Sequence, residues 1–375
     1  MSDTKEYRIL VINPGSTSTK VGYFINEEKV WDQGVSHSKD EISQFAEIQD
    51  QFGYRKEIVE QICAEKGIDP ADIDIFVGRG GGMVSCPGGV YEINDILIRD
   101  CIAGAGGAHH PANLASQIAR AMAEQYGGDC FTCNPPDVDE MIDIARPTGL
   151  KEIFRKSSFH ALNQKEIAHR YATAQGKRYE DLNLVIAHIG GGTSISAHRK
   201  GKVIDTTSLI SGNGPMMTSR AGEIDTTKIV DLAFSGEYDR KSLRTRLTRK
   251  GGLMDHLGTD SAQEVERRIA AGDAYAKVVY DAMNYQICKH IGGMTAALQG
   301  KVDQIILTGG MSNSKYIVNM IREFCSTFGE ITVMAGEFEL EALAAAGLRA
   351  KRGEVPVQTY TGIPMFKDFE YLKEK

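Results

Sequence analysis

Long apolar runs, basic runs and cysteine are all scarce in this 375-residue sequence, and each scarcity narrows what the chain can be. Nothing approaches the roughly 18–20 consecutive apolar residues that a membrane-spanning helix needs, so no membrane association is expected. No long lysine–arginine run occurs and the formal net charge is −7, which argues against nucleic acid as a partner. The seven cysteines are an odd, scattered set, at Cys63, Cys86, Cys101, Cys130, Cys133, Cys288 and Cys325, and suit reduced thiols. Cys130 and Cys133 have C-x-x-C spacing, but one pair is half a zinc site and no second pair lies anywhere. The segment Met1–Arg8 is polar and mixed in charge, unlike a secretory leader. A cytoplasmic protein is expected, long enough for two domains with substantial cores.

What is present is a repeated device. Ile9–Asn13 reads as a buried strand, Pro14–Ser18 as a turn of glycine and hydroxyls, and Thr19–Phe24 as a returning strand. Such a hairpin aims backbone N–H groups and small hydroxyls at one point, which is how a protein holds phosphate without a helix. Asn13, Gly15, Ser16 and Ser18 form the cradle, and Lys20 adds a point charge. Leu184–Ala197 repeats the pattern around Gly190, Gly191 and Gly192, directly after His188. A second pair recurs: Ile75–Gly81 and Ile305–Gly310 are each a short buried strand ending in glycines. In both halves the hairpin precedes the strand-plus-glycines, so an internal duplication is expected. Two halves that each offer a phosphate turn suggest one nucleotide held between two domains. The Gly309–Gly310 turn is the natural adenine platform, because glycine permits close backbone approach.

These residues carry a resemblance. Asn13–Lys20 is similar to the N-terminal signature of the acetate kinase family, Asn-x-Gly-Ser-(Ser/Thr)-(Ser/Thr)-x-Lys, and His188–Ser194 to its second signature, His-x-Gly-x-Gly-x-(Ser/Thr). Phe159-His160, Met216–Gly222 and Leu307–Gly310 match as well. Asn13-Pro14-Gly15, Ser158–Lys165, the three glycines after His188 and Val138–Met141 favour the butyrate branch. The resemblance implies an α/β fold of two duplicated actin-like (RNase H-like) domains with an active-site cleft between them. The acid-substrate domain is expected at 1–150 plus about 345–375, and the nucleotide domain at 151–344. Along the chain the expected elements are a strand–hairpin–strand at 7–36, a helix ending at Gly67, strand 74–78, a strand near Tyr91–Ile98, helix 113–126, the Cys130 strand, hairpins at 182–205, helical segments through 225–300, strand 303–308, helix 314–327, strand 331–334 and a last helix at Leu340–Lys351. That helix is expected to pack back on the first domain.

The activity so implied is reversible ATP-dependent phosphorylation of butyrate by in-line attack of the carboxylate. An ionised acid needs no general base, and two anions must be drawn together, so cations and N–H donors should dominate the site. Arg79, between a buried strand and glycines, can grip a carboxylate or phosphate in bidentate fashion; the resemblance assigns it the acid. By the same resemblance Arg220 contacts the transferring phosphoryl group, His160 orients substrate oxygens, His188 lies near the γ-phosphate, and one of His109 and His110 completes the set. Magnesium follows from ATP, with Asn13 and Glu339 near it. Glu337 and Glu341 compete with Glu339 because Phe338 and Leu340 break the family pattern. Asn134 stands where the family has aspartate, with Asp137 close by, and Gln263 replaces an arginine in the nucleotide loop. Alternatives are an isobutyrate, acetate or propionate kinase, and, in another class, an actin- or Hsp70-like ATPase switch. A homodimer or higher homo-oligomer is implied.

Overall fold

The computed structural model describes residues 5–107, 109–210 and 212–369. In chain order its strands are β1 (Arg8–Pro14), β2 (Ser18–Ile25), β3 (Glu28–Ser36), β4 (Ile75–Arg79), β5 (Val90–Glu92), β6 (Asp129–Cys133), β7 (Asn183–Ile189), β8 (Thr193–Arg199), β9 (Lys202–Thr206), β10 (Gln304–Thr308), β11 (Ile331–Val333) and β12 (Val357–Gln358). The chain divides into two compact units, one running to Asp139 and resuming at Phe338, the other spanning Glu140–Glu337.

In the first unit a seven-stranded sheet has the order β12-β5-β6-β4-β1-β2-β3. Strands β1, β4 and β6 run parallel, and β2 and β3 are added antiparallel as a meander on β1. Parallel strands covered on both faces need continuous apolar runs, and β1 and β4 comply: Ile9 to Ile12 and Ile75 to Val77 are fully buried. One apolar cluster joins Leu10, Ile12 and Phe76 to Ile58 and Ile62 of the helix Phe52–Glu65 and to Ile118 and Met122 of the helix Asn113–Tyr126. The helix Glu339–Lys351 packs on β1, β4 and β6 of this same sheet.

The second unit has a five-stranded sheet, β11-β10-β7-β8-β9. Here β7, β10 and β11 are parallel while β8 and β9 form the antiparallel meander. Its order and directions repeat those of β6-β4-β1-β2-β3, so the duplication read from the two hairpins and two glycine-ended strands is present in the backbone. Its core centres on Val185, Ala187, Ile305 and Leu307, covered by Tyr280, Met283 and Ile287 of the helix Ala274–Ala297.

Two features differ from the sequence expectation. The strand expected over Tyr91–Ile98 stops at Glu92, and a helix occupies Asp95–Ala103. The cause is local: the Asn94 side chain accepts from Leu97 N at 2.9 Å and caps the helix. The boundaries between units fall at 139/140 and 337/338, where 150/151 and 344/345 were expected. Segment 140–150 belongs to the second unit because the Glu140 carboxylate receives Val203 N and Lys165, and Ile142 N donates to Ile204 O. The segment from Phe338 belongs to the first because Leu340, Leu343 and Leu348 are buried in a helix on the first sheet.

Candidate active site

In the first unit the chain reverses between β1 and β2 in a tight turn closed by Gly15 N donating to Ser18 O at 2.7 Å. Asn13, at the end of β1, is almost fully buried. Its Nδ2 donates to Glu339 Oε2 at 2.9 Å. Arg79, at the end of the adjacent parallel strand β4, donates to the same carboxylate at 3.2–3.3 Å and reaches Asn13 Oδ1 at 3.5 Å. Parallel pairing of β1 with β4 is what brings the ends of these two strands together. The three competing glutamates separate cleanly. Glu339 joins Asn13 and Arg79, Glu341 pairs with Lys29, and Glu337 belongs to the other unit.

The structure places His110, rather than His109, on the turn. His110 Nε2 lies 3.1 Å from Ser16 Oγ, and its Nδ1 accepts from Ala112 N. With Nδ1 accepting, the ring proton of the neutral form sits on Nε2 and is donated to Ser16. Desolvation first, then the charges of Arg79 and Arg55, hold this imidazole below its ordinary pKa. His109 is exposed. Lys20 lies directly across from Asn13 in the β1–β2 ladder and is exposed, alongside Gly34.

Asn134, where the family pattern has aspartate, is a local clamp. It sits at φ +39° and exchanges two hydrogen bonds with Gly89, Oδ1 accepting from Gly89 N and its own N donating to Gly89 O. The nearby acidic group is Asp137. Burial pushes its carboxyl up to about 7 against the pull of backbone N–H donors at Met83 and Asp137, and its Oδ2 has no hydrogen-bond partner among the described residues.

The second unit carries its own cluster. His188, at the end of β7, is 2% exposed, and the His160 ring lies flat against it with centroids 3.7 Å apart. His188 Nδ1 donates to Asn163 Oδ1 at 2.9 Å, an oxygen that also accepts from Thr308 Oγ1 of β10. That leaves His188 Nε2 buried without a hydrogen-bond partner among the described residues, 3.7 Å from Glu337 Oε1. His160 is fixed differently. Ser194 Oγ accepts from His160 N and Gln164 Nε2, so its own hydrogen goes to His160 Nδ1 at 2.8 Å. Gln164 is itself held by His198, whose Nε2 donates to Gln164 Oε1 while Nδ1 accepts from Tyr179. Complete burial keeps His198 well below its ordinary pKa, as this neutral role requires.

The glycines at 190–192 form the turn after His188, closed by Gly190 N donating to Gly192 O. A Cβ at Gly192 would come within 2.5 Å of Arg220 Nη1 and 2.6 Å of Leu209 Cδ1, so the glycine leaves room for the ends of both side chains. Arg220 is partly buried, its pKa lowered by desolvation, and among the described residues no carboxylate pairs with it; its Nη1 lies 3.6 Å from Met217 Sδ. At the end of β10, Gly309 has φ +88° and a Cβ would lie 2.4 Å from Ile189 O, while Gly310 opens a short 3-10 turn.

The expected residues thus fall into two groups: Asn13, Gly15, Ser16, Ser18, Lys20, Arg79, His109, His110 and Glu339 in the first unit, and His160, His188, Gly190–Gly192, Arg220, Gly309 and Gly310 in the second. The sequence expectation overlooks Asn163, Gln164, Ser194 and Thr308 as the supports of the two histidines. Their signal was proximity to the motifs, Asn163 and Gln164 falling three and four residues after His160.

Comparison with known proteins gives a consistent result. Residues 140–342 match the model of the acetokinase family. Two proteins named probable butyrate kinase, from Clostridium botulinum strains Alaska E43 / Type E3 and Eklund 17B / Type B, are each 40% identical over 94% of this chain and 99% of their own length. Among solved structures, an acetate kinase of Porphyromonas gingivalis aligns over 91% of this chain and 99% of its own, with TM-score 0.73 and 18% identity. A propionate kinase of Francisella tularensis subsp. tularensis SCHU S4 aligns over 91% and 98%, with TM-score 0.69 and 19% identity. At such identity the structural likeness speaks for the fold, a duplicated actin-like α/β fold, while the family model and the close relatives speak for the lineage. The chain belongs to the acetokinase family.

Proposed function

We propose that this enzyme transfers the γ-phosphoryl group of ATP to butyrate, and in reverse makes ATP from butyryl phosphate. The observation that carries the reading is Arg220: a guanidinium partly withdrawn from water, beside the Gly190–Gly192 turn, with no carboxylate paired to it among the described residues. A desolvated cation of this kind is completed by an anion, and a transferring phosphoryl group is one. On this reading Arg220, His160 and His188 act on the phosphoryl oxygens, and Gly190–Gly192 present backbone N–H groups to the phosphates. Gly309 and Gly310 receive the adenine. In the first unit Arg79 and His110 take the acid, and the Asn13–Lys20 turn serves the phosphoryl side. No group is assigned as base, because the carboxylate attacks already ionised.

Asn13 and Glu339 stand side by side, but the Glu339 carboxylate is held by Asn13 Nδ2 and by Arg79, so a magnesium ion accompanying ATP would meet these two residues through water and take its direct oxygens mainly from the phosphates. Bound there, it would neutralise phosphate charge. The same reading makes the enzyme cytoplasmic and homo-oligomeric; no helix among the described residues is long and apolar enough to cross a membrane.

The test is a panel of C2 to C5 straight and branched acids with ATP and hydroxylamine, followed by acyl-hydroxamate colour. Butyrate should give the highest kcat/KM. A higher value for isobutyrate, acetate or propionate reassigns the substrate. ATP hydrolysis without hydroxamate from any acid replaces the kinase reading with an ATPase switch.

A further inference from the structure

Arg55 lies on the helix Phe52–Glu65 and is completely buried. Its Nε donates to Gln51 Oε1 at 2.9 Å. Its Nη1 donates to Ser18 O and Thr19 Oγ1, both at 3.0 Å. Among the described residues its Nη2 has no hydrogen-bond partner, and no carboxylate is among the groups that act on its charge. Removing an ion from water costs several kcal/mol unless an opposite charge and hydrogen bonds repay it. Here the hydrogen bonds repay part, and the opposite charge is lacking.

The groups Arg55 does hold are those of the first phosphate turn. Ser18 O is the acceptor that closes the turn, receiving Gly15 N as well. Thr19 Oγ1, fully buried, accepts from Arg55 and passes its own hydrogen to His37 Nε2 at 2.8 Å. His37 Nδ1 then donates to Tyr54 OH at 3.0 Å. Burial first and the Arg55 charge second hold His37 below its ordinary pKa, so it stays the neutral acceptor this chain needs. The turn is therefore backed by a chain of hydrogen-bonded side chains that starts at a buried cation with no carboxylate paired to it among the described residues, the Glu41 carboxylate acting only on the far members, His37 and Tyr54. The Arg55 field also reaches His110, which donates to Ser16 on the same turn.

We propose that Arg55 is a positioning residue for the transferred phosphoryl group: its fork fixes the Gly15–Thr19 turn through Ser18 and Thr19, and its unneutralised charge biases that turn toward a bound anion. The proposal rests on reading the turn as a phosphate site, and it separates the two parts of a guanidinium. The fork sets placement, hence kcat; the charge sets anion affinity.

The test uses the full chain with inorganic phosphate as the probe. Phosphate should raise the melting temperature of the wild type by binding the folded state. Arg55→Met, which loses both fork and charge, should lose at least half of that rise and at least tenfold in kcat. Arg55→Lys, which keeps the charge, should keep the rise and still lose at least tenfold in kcat. A purely structural arginine would lower the ligand-free melting temperature and leave both readouts alone. The proposal is overturned by a wild-type phosphate shift in Arg55→Met, a wild-type kcat in Arg55→Lys, or loss of the shift in Arg55→Lys. Should Arg55→Met not fold, Arg55→Lys decides alone. If the wild type phosphorylates no acid, the phosphate shift still reports on the turn, so failure of the kinase reading is told apart from failure of this one.

Discussion

His160 and His188 lie ring on ring, and their hydrogen bonds demand opposite tautomers: His188 donates from Nδ1 to Asn163, while His160 accepts at Nδ1 from Ser194. With both Nδ1 atoms engaged, the Nε2 atoms of the two stacked rings differ in state, unprotonated in His188 and protonated in His160. Asn163→Ala removes the acceptor that fixes His188 and leaves a buried N–H without a partner. It should lower kcat by about 10- to 100-fold, in the range of general hydrogen-bonding contributions to catalysis, with a smaller change in the KM for the acid. Steady-state kinetics over both substrates checks this.

The two arginines should fail differently. Arg79 sits in the first unit with Asn13 and Glu339, and Arg220 in the second beside the glycine turn. Arg79→Ala is expected to raise the KM for the acid by at least tenfold, whereas Arg220→Ala should depress kcat by about 100-fold or more and alter KM less. Equal losses of the same parameter in both variants would reject the division of roles.

Gly192→Ala tests the close approach to Arg220. The added methyl would meet Nη1 at 2.5 Å, and the long side chain can yield, so folding should survive. The displaced guanidinium should cost about tenfold or more in kcat, because misplacement of about 1 Å has effects of this order. A melting temperature near that of the wild type, with the kinetic loss, is the expected pair.

Asp137 gives a pH dependence whose sign is fixed. Its carboxyl is pushed up to about 7 in the folded chain, from an ordinary value of 3.8. Between these values the folded state binds the extra proton, so the stabilisation present below about pH 4 is lost as pH rises through 7. Asp137→Asn removes this loss. Its stability relative to the wild type should rise from pH 5 to pH 8, by at most about 2–4 kcal/mol. Urea unfolding at the two pH values measures it.

Tyr360 ties the C-terminal segment to the glycine-rich loop after Arg79. Its hydroxyl accepts from Val84 N and donates to Asp100 Oδ2, both at 2.9 Å, and β12 pairs with β5. Tyr360→Phe removes the partner of the half-buried Val84 N and of Asp100 Oδ2, while Arg99 stays on Asp100 Oδ1, and should cost about 1–3 kcal/mol, read as a lower denaturation midpoint.

The glycine turns, the duplication and the arginines are legible in the sequence because each is a local pattern: an apolar strand, a break of small residues, a charge. The supports of the histidines are not, because Asn163 and Thr308 meet His188 only when helix and strand ends come together. Position 93–98 misleads for a local reason, since the β-branched Ile93, Ile96 and Ile98 suit a strand until Asn94 caps a helix. His109 and His110 are indistinguishable by spacing; only the Ser16 contact separates them. Arg55 carries no motif at all, and its burial could not be read from one arginine among polar neighbours on an amphipathic helix.

The most direct measurement of the central claim is phosphorus NMR of the full chain with magnesium ATP and butyrate. An acyl phosphate resonance should grow in step with ADP, absent without the acid and abolished by Arg220→Ala. Release of inorganic phosphate at the same rate with and without butyrate, and no acyl phosphate, would contradict the account.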